Sequence, residues 1–224
     1  MPTNINISVE KQLNTILRVG VLHLSGMQQP ADNGEEIWQM FSTLSDNLCL
    51  QYAGGSVSDV HGVQGARRLY RAVGLDPTKT RPSSEALLRR SIKGKGVYRV
   101  HPLVDMLNFV SLRQLIPVGL YDVSRIKGPN VRIQIGEPGW GFDGIRKSRV
   151  NVAGRLCVCD SLGPFGSPTS DSLRTSIEGD VSEGLVLLYQ NADDDHETLE
   201  QSLTLTRTLI FEHLNGAVVQ QQII

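Results

Sequence analysis

The chain has 224 residues, 40% of them hydrophobic and 5% aromatic, and carries a net charge of −1 at pH 7. That is enough apolar material for one substantial core, and the near-neutral total excludes a protein that binds nucleic acid through bulk charge. No stretch approaches the length of a membrane span and MPTNINISVEKQ has no signal-like apolar run, so a soluble, cytoplasmic protein with no membrane partner is expected.

In chain order, Ile5 and Ile7 alternate with polar residues and predict a short strand. Val9, Leu13, Ile16 and Leu17 then follow helical spacing, and Val19 to Leu24 reads as a strand. Pro30, Asp32 and Asn33 mark a loop that caps a helix over about 35–50, with Ile37, Met40, Phe41, Leu44 and Leu48 on one face. A second amphipathic helix carries Val63, Ala66, Leu69, Tyr70 and Val73 and stops at Gly74. A third, Glu85 to Ile92, has a capped start at Thr80 or Ser83. Between Arg67 and Arg99 ten Lys/Arg face only Asp76 and Glu85, a local net of +8, which leaves −9 for the remainder. Such asymmetry fits either a solvated face or a phosphate-binding face, and the candidates for the latter are Arg67, Arg68, Arg71, Lys79, Arg81, Arg89, Arg90, Lys93 and Lys95.

The segment His101 to Asp122 is the most informative. Pro102 starts a helix, because the first turn leaves its missing N–H unpaired anyway. Leu103, Met106, Leu107 and Val110 supply the buried stripe, while Asp105 and Asn108 lie three apart within that apolar run. Pro117 and Gly119 end the helix and begin an extended segment closing at Asp122. Further strands are expected at Val131 to Ile135, Leu156 to Cys159 and Leu185 to Tyr189, with turns through Glu137 to Gly144. GPFGSPTSDS, residues 163–172, reads as a loop that is either plain surface or ligand-contacting. Asp193, Asp194 and Asp195 precede a last helix with Leu199, Leu203, Thr206 and Ile210 as its stripe, Gly216 stops it, and Ala217 to Val219 suggests an edge strand.

Known chemical fingerprints are absent: there is no Walker-type loop, no GxGxxG that links a strand to a helix, and no GxSxG elbow. The five histidines are scattered, and Cys157 and Cys159 lack further ligands at metal spacing, so no metal and no cofactor is expected and the cysteines are taken as reduced.

With these residues in view, the chain resembles the B3/B4 editing domain of the phenylalanyl-tRNA synthetase beta subunit in free-standing form. PLVDMLNFV (102–110), IPVGLYD (116–122), RIKG (125–128), the strand around Val131, Gly136-Glu137, Phe142-Asp143-Gly144 and Leu156 to Asp160 follow in family order. The resemblance covers about 67–190 and implies one domain over 1–224, an α+β fold with a β-sandwich core of unusual topology and flanking helices. It also implies tRNA or aminoacyl-tRNA as partner and a pocket built from Asp105, Asn108, Gly119, Ser167, Thr169, Ser170 and Asp171. The family's histidine falls at Gly119, its pocket threonine at Leu107, and its later glutamate near Leu187 to Gln190, where no acid occurs. Three functions are therefore open: a trans-acting deacylase of mischarged tRNA, a tRNA-binding or amino-acid-derivative-binding module without hydrolysis, and a protein for a small amino-acid-like ligand without RNA.

Overall fold

A computed structural model describes residues 4–145 and 148–224. The elements are β1 (Asn6–Val9), β2 (Leu17–Ser25), α1 (Glu35–Gln51), α2 (His61–Ala72), α3 (Ser83–Ile92), α4 (Pro102–Gln114), β3 (Val118–Asp122), β4 (Asn130–Ile135), β5 (Gly141–Asp143), β6 (Arg149–Asn151), β7 (Leu156–Asp160), β8 (Gly163–Ser167), β9 (Ser170–Asp171), β10 (Gly184–Asn191), α5 (His196–Leu214) and β11 (Ala217–Ile223). The fold is α+β, and its strands form an antiparallel sheet ordered β11-β2-β10-β3, a second sheet ordered β1-β4-β7-β8-β9, and a β5-β6 ribbon. Within the second sheet only β1 and β4 pair in parallel.

Alternation along the first sheet explains the layering, since successive side chains of a strand leave on opposite faces. Leu22, Leu24, Val186 and Leu188 pack toward the helices, in one core with Phe41, Leu88, Met106, Val110, Leu199 and Ile210. Val19, Val21, Leu185, Leu187 and Tyr189 face the second sheet and meet Val131, Ile133, Val158 and Phe165. The middle strand β10 is buried along its whole length, so it carries the continuous apolar run of a strand covered on both sides.

Most of the expected elements are present, with three corrections. Val9, Leu13, Ile16 and Leu17 do not form a helix: Lys11–Leu13 is one 3₁₀ turn and Leu17 opens β2. Leu13 and Leu17 are both buried in the core between the sheets, so their spacing reflects a strand, a tight turn and another strand rather than one helical face. Residues 163–172 are not a surface loop, because β8 and β9 pair antiparallel and Phe165, Gly166 and Ser167 are buried. The last strand is longer than expected and runs to Ile223, pairing with β2 along the outer edge of the first sheet.

α4 shows why the central helix begins where it does. The His101 ring nitrogen Nδ1 accepts from the Leu103 N–H at 3.2 Å, and Pro102 occupies the first turn. The Asp105 carboxylate reaches back to accept from the Val100 N–H, at 3.0 and 3.2 Å, while the Asp105 N–H donates to the His101 carbonyl at 2.8 Å. This acid is buried as a fastener for the helix entry, and burial raises its pKa to about 6 against the opposing pull of those amides.

Beyond α4, Gly119 and Tyr121 leave β3 on the same face, toward the second sheet. The Tyr121 ring stands edge-on to Phe165, with centroids 4.9 Å apart, and its hydroxyl lies over both Gly119 and Gly166. A Cβ at Gly119 would stand 2.6 Å from that hydroxyl, and one at Gly166 would be closer still. Gly119→Ala is therefore expected to cost roughly 1–3 kcal/mol by overpacking. In a Tyr121→Phe background, which removes the obstructing oxygen, the cost should shrink; urea denaturation of both pairs measures it.

Candidate functional site

Helix α4, strand β3 and the chain from β9 onward enclose a cavity of about 450 Å3. Val104 and Leu107 of α4, Val118 and Leu120 of β3, and Ile177 give it apolar walls, and Asn108, Ser111, Ser83, Ser176 and Asp171 supply polar groups. Tyr98, Val100, Ile145 and Leu173, each more than 40% exposed, form an apolar rim, and Glu178 also lies on the lining.

Leu120 of β3 faces this cavity while its neighbours Gly119 and Tyr121 face the inter-sheet core. Asp171, on the short edge strand β9, bridges the two environments. Its carboxylate interacts with the Tyr121 hydroxyl and the Leu120 amide, both of which favour the ionised form, but desolvation outweighs them and pushes the pKa up to about 7. One carboxylate oxygen, Oδ1, is buried without a hydrogen-bond partner, and so is the Ser83 hydroxyl. Buried polar groups are normally satisfied by protein or solvent, so two orphans on one cavity make it the candidate site.

Of the pocket residues expected from sequence, Asn108 and Asp171 line this cavity. Asp105 fastens the α4 entry, and Gly119 lies beneath Tyr121. Ser167, Thr169 and Ser170 form the β8–β9 turn: the Ser167 hydroxyl donates to the Ser170 carbonyl (3.1 Å), accepts from the Ser170 amide (3.2 Å) and lies 3.0 Å from the Thr169 hydroxyl. The turn is pinned from below by Tyr70, whose hydroxyl donates to the Pro168 carbonyl at 2.6 Å. Ser83, Tyr98 and Ser176 were not singled out as pocket residues by the sequence, whose only signal for Ser83 was its place at a helix start. Among the described residues no three His, Cys, Asp or Glu side chains converge as a metal site.

The basic segment divides into structural and exposed members. Arg67 meets the fully buried Glu85 through two hydrogen bonds of 2.8 and 2.7 Å, and Arg81 approaches the same carboxylate at 3.5 Å. Arg68 pairs with Asp194, across the groove where α2 meets the end of β10. The Arg90 guanidinium lies 5.1 Å above the Tyr98 ring and donates to the Lys95 carbonyl. Arg71, Lys79, Lys93 and Lys95 are exposed, and Arg89 is half-buried.

An aspartate whose folded-state pKa exceeds its unfolded value binds its proton more tightly when folded, so ionising Asp171 costs stability as the pH rises from 3.8 through about 7. Asp171→Asn should consequently raise the melting temperature at pH 8, and the gain should fade on acidification, at a slope of up to roughly 1.4 kcal/mol per pH unit. Thermal melts across that range check it. Glu85→Gln is expected to cost roughly 3 kcal/mol, because it leaves Arg67 half-buried and uncompensated, whereas Arg71→Ala should stay within about 0.5 kcal/mol of the parent in the same denaturation assay.

The B3/4 domain family model matches residues 65–183, which contain the cavity walls from Ser83 to Glu178 and overlap the 67–190 expected from motif order. Among solved structures, an N-terminal fragment of the phenylalanyl-tRNA synthetase beta subunit from Pyrococcus horikoshii is similar at 13% identity with a TM-score of 0.50, over 97% of this chain and 52% of that one. At that identity the likeness concerns the fold, and the chain spans about half the length of the fragment. No curated protein matches the sequence. With a match over more than half its length, carried by the same helix and strands that build the cavity, the chain belongs to the B3/4 domain family.

Proposed function

We propose that the protein, acting as one B3/B4-type unit over 1–224, recognises the aminoacyl 3′ end of a tRNA and deacylates mischarged tRNA in trans. The observation that carries this reading is the cavity itself: an apolar chamber with an unpartnered carboxylate oxygen inside and an exposed, cation-backed aromatic at its mouth. The chamber suits an amino-acid side chain. Tyr98, with Arg90 behind it, suits the face of a nucleobase, because base–aromatic stacking tolerates any base and is strengthened by a guanidinium. The exposed cations Arg71, Lys79, Lys93 and Lys95 suit the phosphates leading to that end. Hydrolysis adds water to the ester carbonyl and breaks its bond to the ribose oxygen, releasing the amino acid and a free tRNA end. Asn108, on the cavity lining, supports the reading as the group that orders the ester.

A second reading, binding without hydrolysis, is favoured by one observation: the position matching the family's histidine is Gly119, and the space above it is filled by the Tyr121 hydroxyl. Deacylation of a panel of charged tRNAs by the intact chain separates the two readings. Release of amino acid from at least one mischarged tRNA supports the first, and salt-sensitive binding with no release supports the second. If tRNA fails to bind even at low salt, both fall. Tyr98→Ala should weaken tRNA binding by about 5- to 100-fold, the range of a lost base–aromatic stack, without changing its salt dependence; Lys93→Ala with Lys95→Ala should flatten that dependence.

A further inference from the structure

The charge inside the cavity restricts what can enter it. Among the described residues no Lys, Arg or His lines it, and its two ionisable groups other than Tyr98 are both acids, Asp171 and Glu178. Glu178 is half exposed and already engaged, 3.0 Å from the Arg125 guanidinium and 3.4 Å from the Ser176 hydroxyl. Asp171 differs from it. Its carboxylate interacts with the Tyr121 hydroxyl, whose ring packs edge-on against Phe165 and lies over Gly119 and Gly166. One carboxylate oxygen, Oδ1, is buried without a hydrogen-bond partner on a cavity whose walls are Val104, Leu107, Val118, Leu120 and Ile177. A buried carboxylate oxygen without a partner, in a chamber with apolar walls, is matched by a donor that carries positive charge, since charge-assisted bonds are the strong ones and isolated buried charges are costly.

We infer that this cavity is a reader of apolar primary ammonium groups whose neighbouring carboxyl is masked, with Asp171 Oδ1 accepting from the ammonium and Tyr121 acting as the residue that positions it. The inference rests on the reading of this cavity as the acceptor of an aminoacyl group, and it adds a rule of selection. An esterified amino acid presents an ammonium, an apolar chain and a neutral carbonyl, all of which the cavity accommodates. A free amino acid presents in addition a carboxylate, for which no cation lines the cavity among the described residues and which Asp171 repels. The same opposition favours departure of the free acid once an ester has been hydrolysed, so discrimination and product release share one cause.

The groups that face Asp171 bear on how the effect depends on pH: Tyr121 from β3, Tyr189 from β10, whose hydroxyl is 3.4 Å from that of Tyr121, and Tyr70 from α2. All three phenols are held protonated by burial, with pKa values raised further above the ordinary one, so they remain neutral at working pH. Ammonium binding should therefore weaken below pH 7 as Asp171 takes up its proton.

The test uses the full chain and three probes, L-leucinol, L-leucine and N-acetyl-L-leucinol, in calorimetric titrations at pH 8. Leucinol should bind saturably within about 10 mM, at least tenfold tighter than leucine, and the N-acetyl compound should lose roughly 10- to 100-fold, the range of one charge-assisted hydrogen bond. Asp171→Asn, expected to be more stable than the parent, should lose the same factor for leucinol. Tyr121→Phe should reduce binding while Ser83→Ala retains the preference for leucinol over leucine. Equal affinity for leucine and leucinol, no saturable leucinol binding, or unchanged leucinol affinity in Asp171→Asn each overturns the inference. Binding or deacylation of tRNA without leucinol binding sinks this inference alone, and leucinol binding without any tRNA binding sinks the RNA reading alone.

Discussion

Burial of β10 on both faces is the constraint from which the rest of the architecture follows. A strand with Leu185, Val186, Leu187, Leu188 and Tyr189 in succession has no face to offer to water, so it must be covered by one layer on each side and flanked by strands on both edges. The helices answer one face and the second sheet answers the other. Neither cover is regular to its margin: β3 is short, β9 shorter, and the helical layer reaches the same border through α4. The cavity lies at that border, where three elements end and no single one can fill the space. Its position is thus a by-product of how the central strand is enclosed.

Tyr121 ties this border together. The residue takes the space that two glycines vacate, braces Phe165, and interacts with a carboxylate whose pKa desolvation raises. A histidine at Gly119 would need the volume that the phenol fills. Gly119 and Tyr121 are two apart on one strand and share a face, so the phenol and any side chain at Gly119 compete for one space. The polar side chains lining the cavity, among the described residues, are the acids Asp171 and Glu178, the Asn108 amide and several hydroxyls.

Much of the scaffold was legible in the residues because periodicity is a local signal. The stripes of α1, α2, α4 and α5 and the apolar run of β10 all emerge at the expected places. Val9 to Leu17 misled because a spacing of four is shared by a helical face and by a strand that turns sharply into the next. The hydroxyl-rich segment before Asp171 misled for a related reason: Ser, Thr and Pro are as useful for closing a buried hairpin as for meeting a ligand, and composition does not separate the two. Asn108 stood out by its polarity in an apolar run and by the resemblance, and Asp171 by its place in a glycine- and hydroxyl-rich segment. Ser83 and Tyr98 did not, since they reach the cavity from α3 and the chain beyond it, a juxtaposition that only the packing of α3 against α4 creates. Likewise the charge count overstated the exposed basic face, because Arg67 and Arg81 converge on a buried glutamate eighteen and four residues away.

The order of strands in the first sheet sets the timing of assembly. Leu24 of β2 is paired on one side with Gly184 and on the other with Val218, so the earliest strand of this sheet has the two latest, β10 and β11, as its neighbours. Closure of such distant partners carries its loop entropy before any pairing energy is returned, which slows folding relative to chains of local contacts. During synthesis β2 must wait, with its apolar faces unsheltered, until β10 and β11 have emerged. The first sheet is in this sense the last to be completed, and the ribosome-bound chain depends on the helices between β2 and β3 for whatever shelter it has until then.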